Sequence, residues 1–445
     1  MVPVPLPSFP PGFRLGTSAA AYLIEGATTA DGRGRSTWDV FAEQPGVIAD
    51  GSDATVAADH YHRMPEDVGL IARLGDHRFG VSWARVLPTG RGRVNPAGLD
   101  FYDRLVDRLL NAGVRPTATL YAGDLPQELE ADGGWLNRST VDAFAEYAAV
   151  VAARLGDRVE EWVPVQDPNV SAYLGYGLGT WAPGRRLGFA AVAAVHHLLL
   201  AHGRAAIALR AAGAARVGCA TQHQPIWPAS EDPADVGAAK LVDGLWNGVP
   251  LEAMLFGRYP DDLVDLFAGV TESGDLATIR QPLDFYGLNY YAPQRIGAAP
   301  EGADLPFELR ELLGYPSTDV GWAIVPAALR EWLITTRARH RAALPPFVIT
   351  QCGAAFDVPV VDGEVDDRIR IAFLSAHLEA VAAAIQRGVD IRGFYAYTPF
   401  DCWDWEEGMM ARYGLVHVDR TTLERTPKRS FGWYADLVAA HRSPA

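Results

Sequence analysis

Pro346-Phe347-Val348-Ile349-Thr350-Gln351-Cys352-Gly353 is an apolar, β-branched run that opens on proline and closes on a polar residue and a glycine. Such a run reads as a buried strand ending in a turn. Seven others share its character: Phe13–Ala19, His77–Trp83, Arg115–Tyr121, Glu161–Asp167, Val217–His223, Phe285–Tyr291 and Gly393–Pro399. Longer Ala- and Leu-rich stretches separate them, among them Pro96–Ala112, Arg138–Leu155, Phe189–Ala212 and Asp367–Arg387. The last two repeat apolar residues at three-to-four spacing, as packed helices do. Eight short strands alternating with helices predict an α/β fold of the (β/α)8, or TIM-barrel, type. No internal repeat, Gly/Ser linker or low-complexity tract divides the 445 residues, so 1–445 reads as one domain.

Reactive residues in such barrels sit where strands end. That rule alone selects Asp124, Asp167, Asn289, Tyr291, Gln351, Asp401 and Asp404.

Composition narrows the partners. The formal charge of −15, with no Lys/Arg-rich run, argues against nucleic acid and anionic membranes. Met1-Val2-Pro3-Val4-Pro5-Leu6-Pro7 carries neither a basic nor an apolar leader region, and no unbroken run of 18 apolar residues occurs, so neither a secretory leader nor a membrane span is expected. Three cysteines, Cys219, Cys352 and Cys402, are too few for a disulfide framework and fit a reducing cytoplasm. No Cys-x-x-Cys, His-Glu-x-x-His or glycine-rich nucleotide loop is present, so no metal or cofactor is expected.

The strand ends also resemble family 1 glycoside hydrolases, the β-glucosidases and their relatives, over residues 9–440. Ile349-Thr350-Gln351-Cys352-Gly353 is similar to that family's Ile-Thr-Glu-Asn-Gly, whose Glu is the nucleophile; Gln351 stands at the Glu and Cys352 at the Asn. Trp162-Val163-Pro164-Val165-Gln166-Asp167-Pro168 resembles Trp-Xaa-Thr-Xaa-Asn-Glu-Pro, putting Asp167 at the acid/base and Gln166 at the residue that contacts the 2-hydroxyl. Asp keeps the acid but reaches about 1.5 Å less far than Glu. In Tyr22-Leu23-Ile24-Glu25-Gly26 the sugar-gripping Gln is Leu23, and in Tyr121-Ala122-Gly123-Asp124-Leu125-Pro126 the clasping His and Trp are Ala122 and Gly123. His77-Arg78-Phe79 supplies the Arg that holds the family's nucleophile. Asn289 and Tyr291 match a polar site residue and the Tyr that bonds that nucleophile. In the last strand region Tyr397 replaces a platform Trp, Asp404 replaces a sugar-binding Glu, and Trp405 is retained.

A retaining glycosidase needs two carboxylates about 5–5.5 Å apart and an inverting one about 6.5–9.5 Å. At the two positions the resemblance identifies, this chain carries one, Asp167. Asp124, Asp404 and Glu25 are the candidates for a second. Leu23, Ala122, Gly123 and Cys352 together imply a wider, more apolar pocket than a sugar clasp, suited to a larger, less polar small molecule. Three readings follow: a family 1-like enzyme of non-hydrolytic acid/base chemistry (cyclisation, rearrangement or elimination) on a natural-product-like substrate, a catalytically silent binding protein, and an atypical β-glycosidase. The catalytic candidates are Asp167, Gln351, Tyr291 and Arg78. The binding candidates are Leu23, Ala122, Gly123, Asp124, Gln166, Asn289, Cys352, Tyr397, Asp404 and Trp405.

Overall fold

The eight β-like runs become eight parallel strands in the computed structural model, which describes residues 8–442. They are β1 (Arg14–Ala19), β2 (Asp76–Gly80), β3 (Pro116–Tyr121), β4 (Glu161–Val165), β5 (Cys219–Gln222), β6 (Tyr286–Tyr290), β7 (Phe347–Cys352) and β8 (Ile391–Tyr397). β1 lies between β2 and β8, with Ser18 opposite both Arg78 and Tyr397. The ring closes at the fifth position, where the strand is split. Arg216–Val217 pairs with β4, and β5 resumes beyond Gly218 to pair with β6. Gly218 is required there, because a Cβ would lie 2.5 Å from the Phe285 ring. The Asp167 amide bonds the Ala220 carbonyl at 2.8 Å and completes the seam.

Two apolar layers follow from the pleat. Val163, Ala220, Phe285, Val348 and Tyr395 fill the barrel interior, while Phe347, Ile349 and Cys352 face the outer helices. Alternation fails at one place in β7. Its pairing with β6 shifts between Ile349 and Gln351. A bulge of this kind re-aims side chains, and the polar groups of Thr350 and Gln351 both find partners on and just beyond β6, Asn289 and Tyr291.

The long helices, Pro96–Asn111, Ser139–Leu155, Val192–Ala211 and Arg368–Gln386, fall within a few residues of their expected positions. Two stretches, Gly188–Ala211 and Arg368–Gln386, are long and apolar enough by composition to cross a membrane, although neither is an unbroken apolar run. Their most apolar windows are 78% and 56% buried in the protein, as barrel-packed helices are. Residues 1–7, on which the expectation about a leader rests, lie outside the described residues. Trp83, Trp162 and Trp403 are wholly buried core residues.

One feature has no counterpart in the sequence reading. Phe307–Arg310 pairs antiparallel with Gln294–Ala298, which runs parallel to Ile226–Pro228, forming a small sheet separate from the barrel.

Candidate active site

At the C-terminal rim, Asp167 follows β4 with a left-handed backbone, φ 48°, and Pro168 then opens the next short helix. Its carboxylate is gripped from two sides. Asn289 Nδ2 donates to both oxygens at 2.9 and 3.0 Å, and Gln166 Nε2 donates to Oδ2 at 3.1 Å. Each amide is oriented by its other end: Thr350 Oγ1 donates to Asn289 Oδ1 at 2.7 Å, and Arg78 Nη1 donates to Gln166 Oε1 at 2.7 Å. A guanidinium has no acceptor and a carboxylate no donor, so the direction of this chain is fixed. Burial pushes the Asp167 carboxyl up to about 6, outweighing the Asn289 hydrogen bonds and the Arg78 charge. It can therefore hold or release a proton near neutrality.

Arg78 is 2% exposed, and its partners are Gln166 Oε1, Thr119 Oγ1 at 2.8 Å and the Thr350 carbonyl at 3.4 Å. All three are neutral, and Nε has no partner. Burial lowers its pKa to about 10 against the opposing pull of Asp167, so it stays a cation at neutral pH. Gln351, equally buried, accepts a hydrogen bond from the Tyr291 hydroxyl on Oε1 at 2.8 Å. The Tyr291 ring is packed edge-on by Tyr397, with centroids 5.8 Å apart.

A cavity of about 360 Å³ opens beside these groups. Leu23, Ala122, Gln166, Asp167, Tyr291 and Gln351 line it, as do Tyr397, Asp404 and Trp405. Asp404 accepts the amides of Glu406 and Glu407 on Oδ1, and burial raises its carboxyl to about 6. Trp405 stacks on Tyr22 and lies 4.4 Å from the Trp38 ring centroid. Arg78 and Asn289 act from behind this wall, through Gln166, Thr350 and Asp167.

Several expected members do not line the cavity. Cys352 faces the outer helices, because the β7 bulge lies before it and it resumes the outward alternation. Gly123 is buried, and the space beside it holds Trp38 and Trp405, whose atoms would lie 3.5 and 3.9 Å from a Cβ there. Asp124 is buried with Oδ2 unpartnered and its carboxyl pushed up to about 7 by burial, outside the cavity wall. Glu25 is committed to Arg85 at 2.9 Å and to the Tyr102 hydroxyl at 2.7 Å. Asp401 is held by Lys428 at 2.7 Å and Arg412 at 2.9 Å. Of the proposed second carboxylates, only Asp404 lines the cavity. Sequence reasoning missed Glu406, which lines the rim and accepts a hydrogen bond from Trp181 Nε1 at 2.6 Å. It also missed the cavity's apolar walls, including Phe189, Trp246, Ile296 and Phe307. Among the described residues, no group of three or more His, Cys, Asp or Glu is placed to hold a metal ion.

A closed (β/α)8 barrel with an acid, an amide and a tyrosine converging on a cavity at its C-terminal rim defines a barrel with a small-molecule site at its strand ends. Residues 6–443 match the model of glycosyl hydrolase family 1, and the chain belongs to that family. It is 44% identical over 440 residues to thermostable β-glucosidase B of Thermobispora bispora, covering 97% of this chain and 90% of that protein. A solved family 1 β-glucosidase from Thermotoga maritima, in complex with isofagomine lactam, superposes with a TM-score of 0.92 at 38% identity, over 98% of this chain and 100% of that one. A psychrophilic β-glucosidase from Micrococcus antarcticus gives 0.92 at 42% identity, over 98% of both chains.

Proposed function

We propose that this family 1 barrel works without a protein carboxylate as nucleophile, and that Asp167 performs acid/base chemistry on a large, weakly polar small molecule. The reaction is a cyclisation, rearrangement or elimination, in which the carboxyl gives a proton to the substrate and recovers one from it. The observation that carries this reading is the company Arg78 keeps: a buried guanidinium whose acceptors are all neutral. Gln351 belongs to the same picture. It stands at the position of the family's nucleophile, and an amide bonded to Tyr291 does not supply the carboxylate of a glycosyl ester. An acid poised near 6 in an apolar cavity is suited to proton transfer at neutral pH.

The relatives are β-glucosidases, so the decisive experiment compares aryl β-glucosides with the native protein and Gln351→Glu. We expect no aryl alcohol release above background from the native protein and a measurable gain on restoring the carboxylate. Release by the native protein at rates the variant does not exceed would return it to atypical glycosidase chemistry. A silent binding role has one observation in its favour: both Asp167 oxygens are already occupied by Asn289 and Gln166. Catalytic turnover of any substrate removes that alternative. Three free, buried cysteines support placement in a reducing cytoplasm, and one barrel ring spanning the described residues supports reading the chain as one domain.

A further inference from the structure

Four aromatic rings in the cavity wall form a closed circuit. By ring centroids, Tyr291 lies 5.2 Å from Trp322, Trp322 6.1 Å from Tyr413, Tyr413 5.3 Å from Tyr397, and Tyr397 5.8 Å from Tyr291 again. Each ring is turned by 45° to 86° from the next, as the walls of a cage are, and all four line the cavity. Asp404 stands beside them. Burial raises the Tyr413 hydroxyl well above its usual range, and the Asp404 charge adds to the rise, as it does at Tyr291 and Tyr397, so the rings stay neutral.

Asp404 itself is 9% exposed. Its Oδ1 takes two backbone amides, which leaves Oδ2 without a hydrogen-bond partner among the described residues. Glu406 adds a second acid at the rim, bonded there by Trp181. No Lys, Arg or His lines the cavity among the described residues. Buried cations around it are engaged elsewhere: Arg412 and Lys428 by Asp401, and Arg78, behind the wall, by neutral groups on the Asp167 side. Leu23 and Ala122 offer no hydrogen bonds to a neutral polyol, whereas the negative charge is in place.

We infer that the substrate is an organic cation, a protonated tertiary or quaternary amine on an otherwise weakly polar body, with its ammonium group held in this cage against Asp404. Which end of the molecule reacts rests on the function proposed above; the charge of the other end is the addition. The face of an aromatic ring attracts a cation within about 6 Å of its centroid. Rings at these separations present several such faces to one alkylated nitrogen. A carboxylate with a free oxygen offsets the cost of taking that charge out of water. Tyr291 serves both ends, since its ring closes the circuit and its hydroxyl bonds Gln351.

The test compares choline with 3,3-dimethylbutan-1-ol, the same shape with carbon in place of the ammonium nitrogen, by isothermal titration calorimetry of the full chain at fixed ionic strength. Choline should bind about tenfold more tightly or better, the scale of a desolvated cation–π contact. A chain of net charge −15 attracts any cation weakly, so variants locate the site. Asp404→Asn and Trp322→Leu should each cut the preference about fivefold, while Trp322→Phe, which keeps a ring, should retain most of it. Trp322 is only partly buried, and unchanged thermal melting shows that the variants fold. Equal affinity for the two probes overturns the inference, and so does a preference that survives intact in Asp404→Asn or in Trp322→Leu. Neither probe is turned over in this measurement. Release of aryl alcohol from aryl β-glucosides by the native protein would sink the proposed function and leave the preference for choline to be read by itself.

Discussion

Asp167 is the residue on which the chemistry turns, and its environment makes a pH prediction with a definite sign. As a general acid it must be protonated, and burial holds its carboxyl near 6. The value of kcat/KM for a substrate found by screening should therefore fall as pH rises through about 6, and Asp167→Asn should lower it on the order of 10²-fold or more. Asp404 also titrates near 6, so the control is Asp404→Asn: the pH limb should stay where it is. A limb that disappears in Asp404→Asn and persists in Asp167→Asn reverses the assignment. Gln166 admits a second residue-scale test. Its carbonyl takes the shortest hydrogen bond Arg78 makes, so Gln166→Leu should cost about 1–3 kcal/mol in urea unfolding, the penalty of an unsatisfied buried polar group. At this scale, Asp167, Gln351, Tyr291, Gln166 and Leu23 were legible because each stands at a strand end or in a motif. Cys352 was misread because a bulge, which leaves no mark in composition, turns it outward. Glu25 and Asp401 were misread because their charge is neutralised by Arg85 and Lys428, distant in sequence.

Between residue and molecule lies the loop that follows β7. Arg370, on the helix Arg368–Gln386, donates to the carbonyls of Ala354, Phe356, Arg412 and Tyr413 and is paired with Asp367 at 3.0 Å. One planar guanidinium thus clips the chain leaving β7 to the chain leaving β8, and Tyr413 lines the cavity. Arg370→Ala leaves the buried Asp367 carboxylate with the Ser430 amide and hydroxyl but without its paired cation, takes a donor from four carbonyls, and should cost about 3–5 kcal/mol, read as a lower urea midpoint at unchanged slope. Arg370→Lys should recover little of this, since an ammonium lacks the fork that reaches several carbonyls at once. The strands and long helices were readable from periodicity. The small sheet over the cavity was not: its strands are three to five residues long and come from separate segments, so no local pattern announces their pairing.

For the whole molecule, three buried carboxyls and a larger set of buried histidines pull stability against pH in opposite directions. Asp124 is pushed up to about 7, and Asp167 and Asp404 to about 6, all by burial. Unfolded aspartates titrate near 3.9. Through these three groups the native state binds more protons than the unfolded state between about pH 4 and 7, and their contribution to stability falls as pH rises. Asp275, held down at about 2 with Arg138 and His196 among its partners, acts in the opposite sense: its contribution is lost as pH falls below 4. Burial holds His77 down at about 3 and His202, His223 and His377 at about 4, so through these rings stability is lost as pH falls from about 6.5 towards 4, and they outnumber the three carboxyls. Urea unfolding should accordingly show a falling midpoint from about pH 6.5 to 4, and Asp124→Asn should raise the midpoint at pH 8 with little effect at pH 4. An equal gain at both pH values would mean that the Asp124 charge is not the cause. The barrel itself was legible throughout, because eight repeats of strand and helix constrain one another. What covers its mouth was not.

The three thiols offer a consequence of another kind. Cys219 lies on β5, Cys352 on β7 and Cys402 beyond β8, all within 2% exposure and unpaired. Burial raises the pKa of each, which further slows attack by alkylating reagents. Labelling of the native protein must then wait for the sector holding each sulfur to open, so three modification rates read by mass spectrometry form a clock for local unfolding. Equal rates would mean that the barrel opens as one cooperative unit. Staggered rates would identify which seam of the ring parts first, with the fifth strand, broken at Gly218, the first place to look.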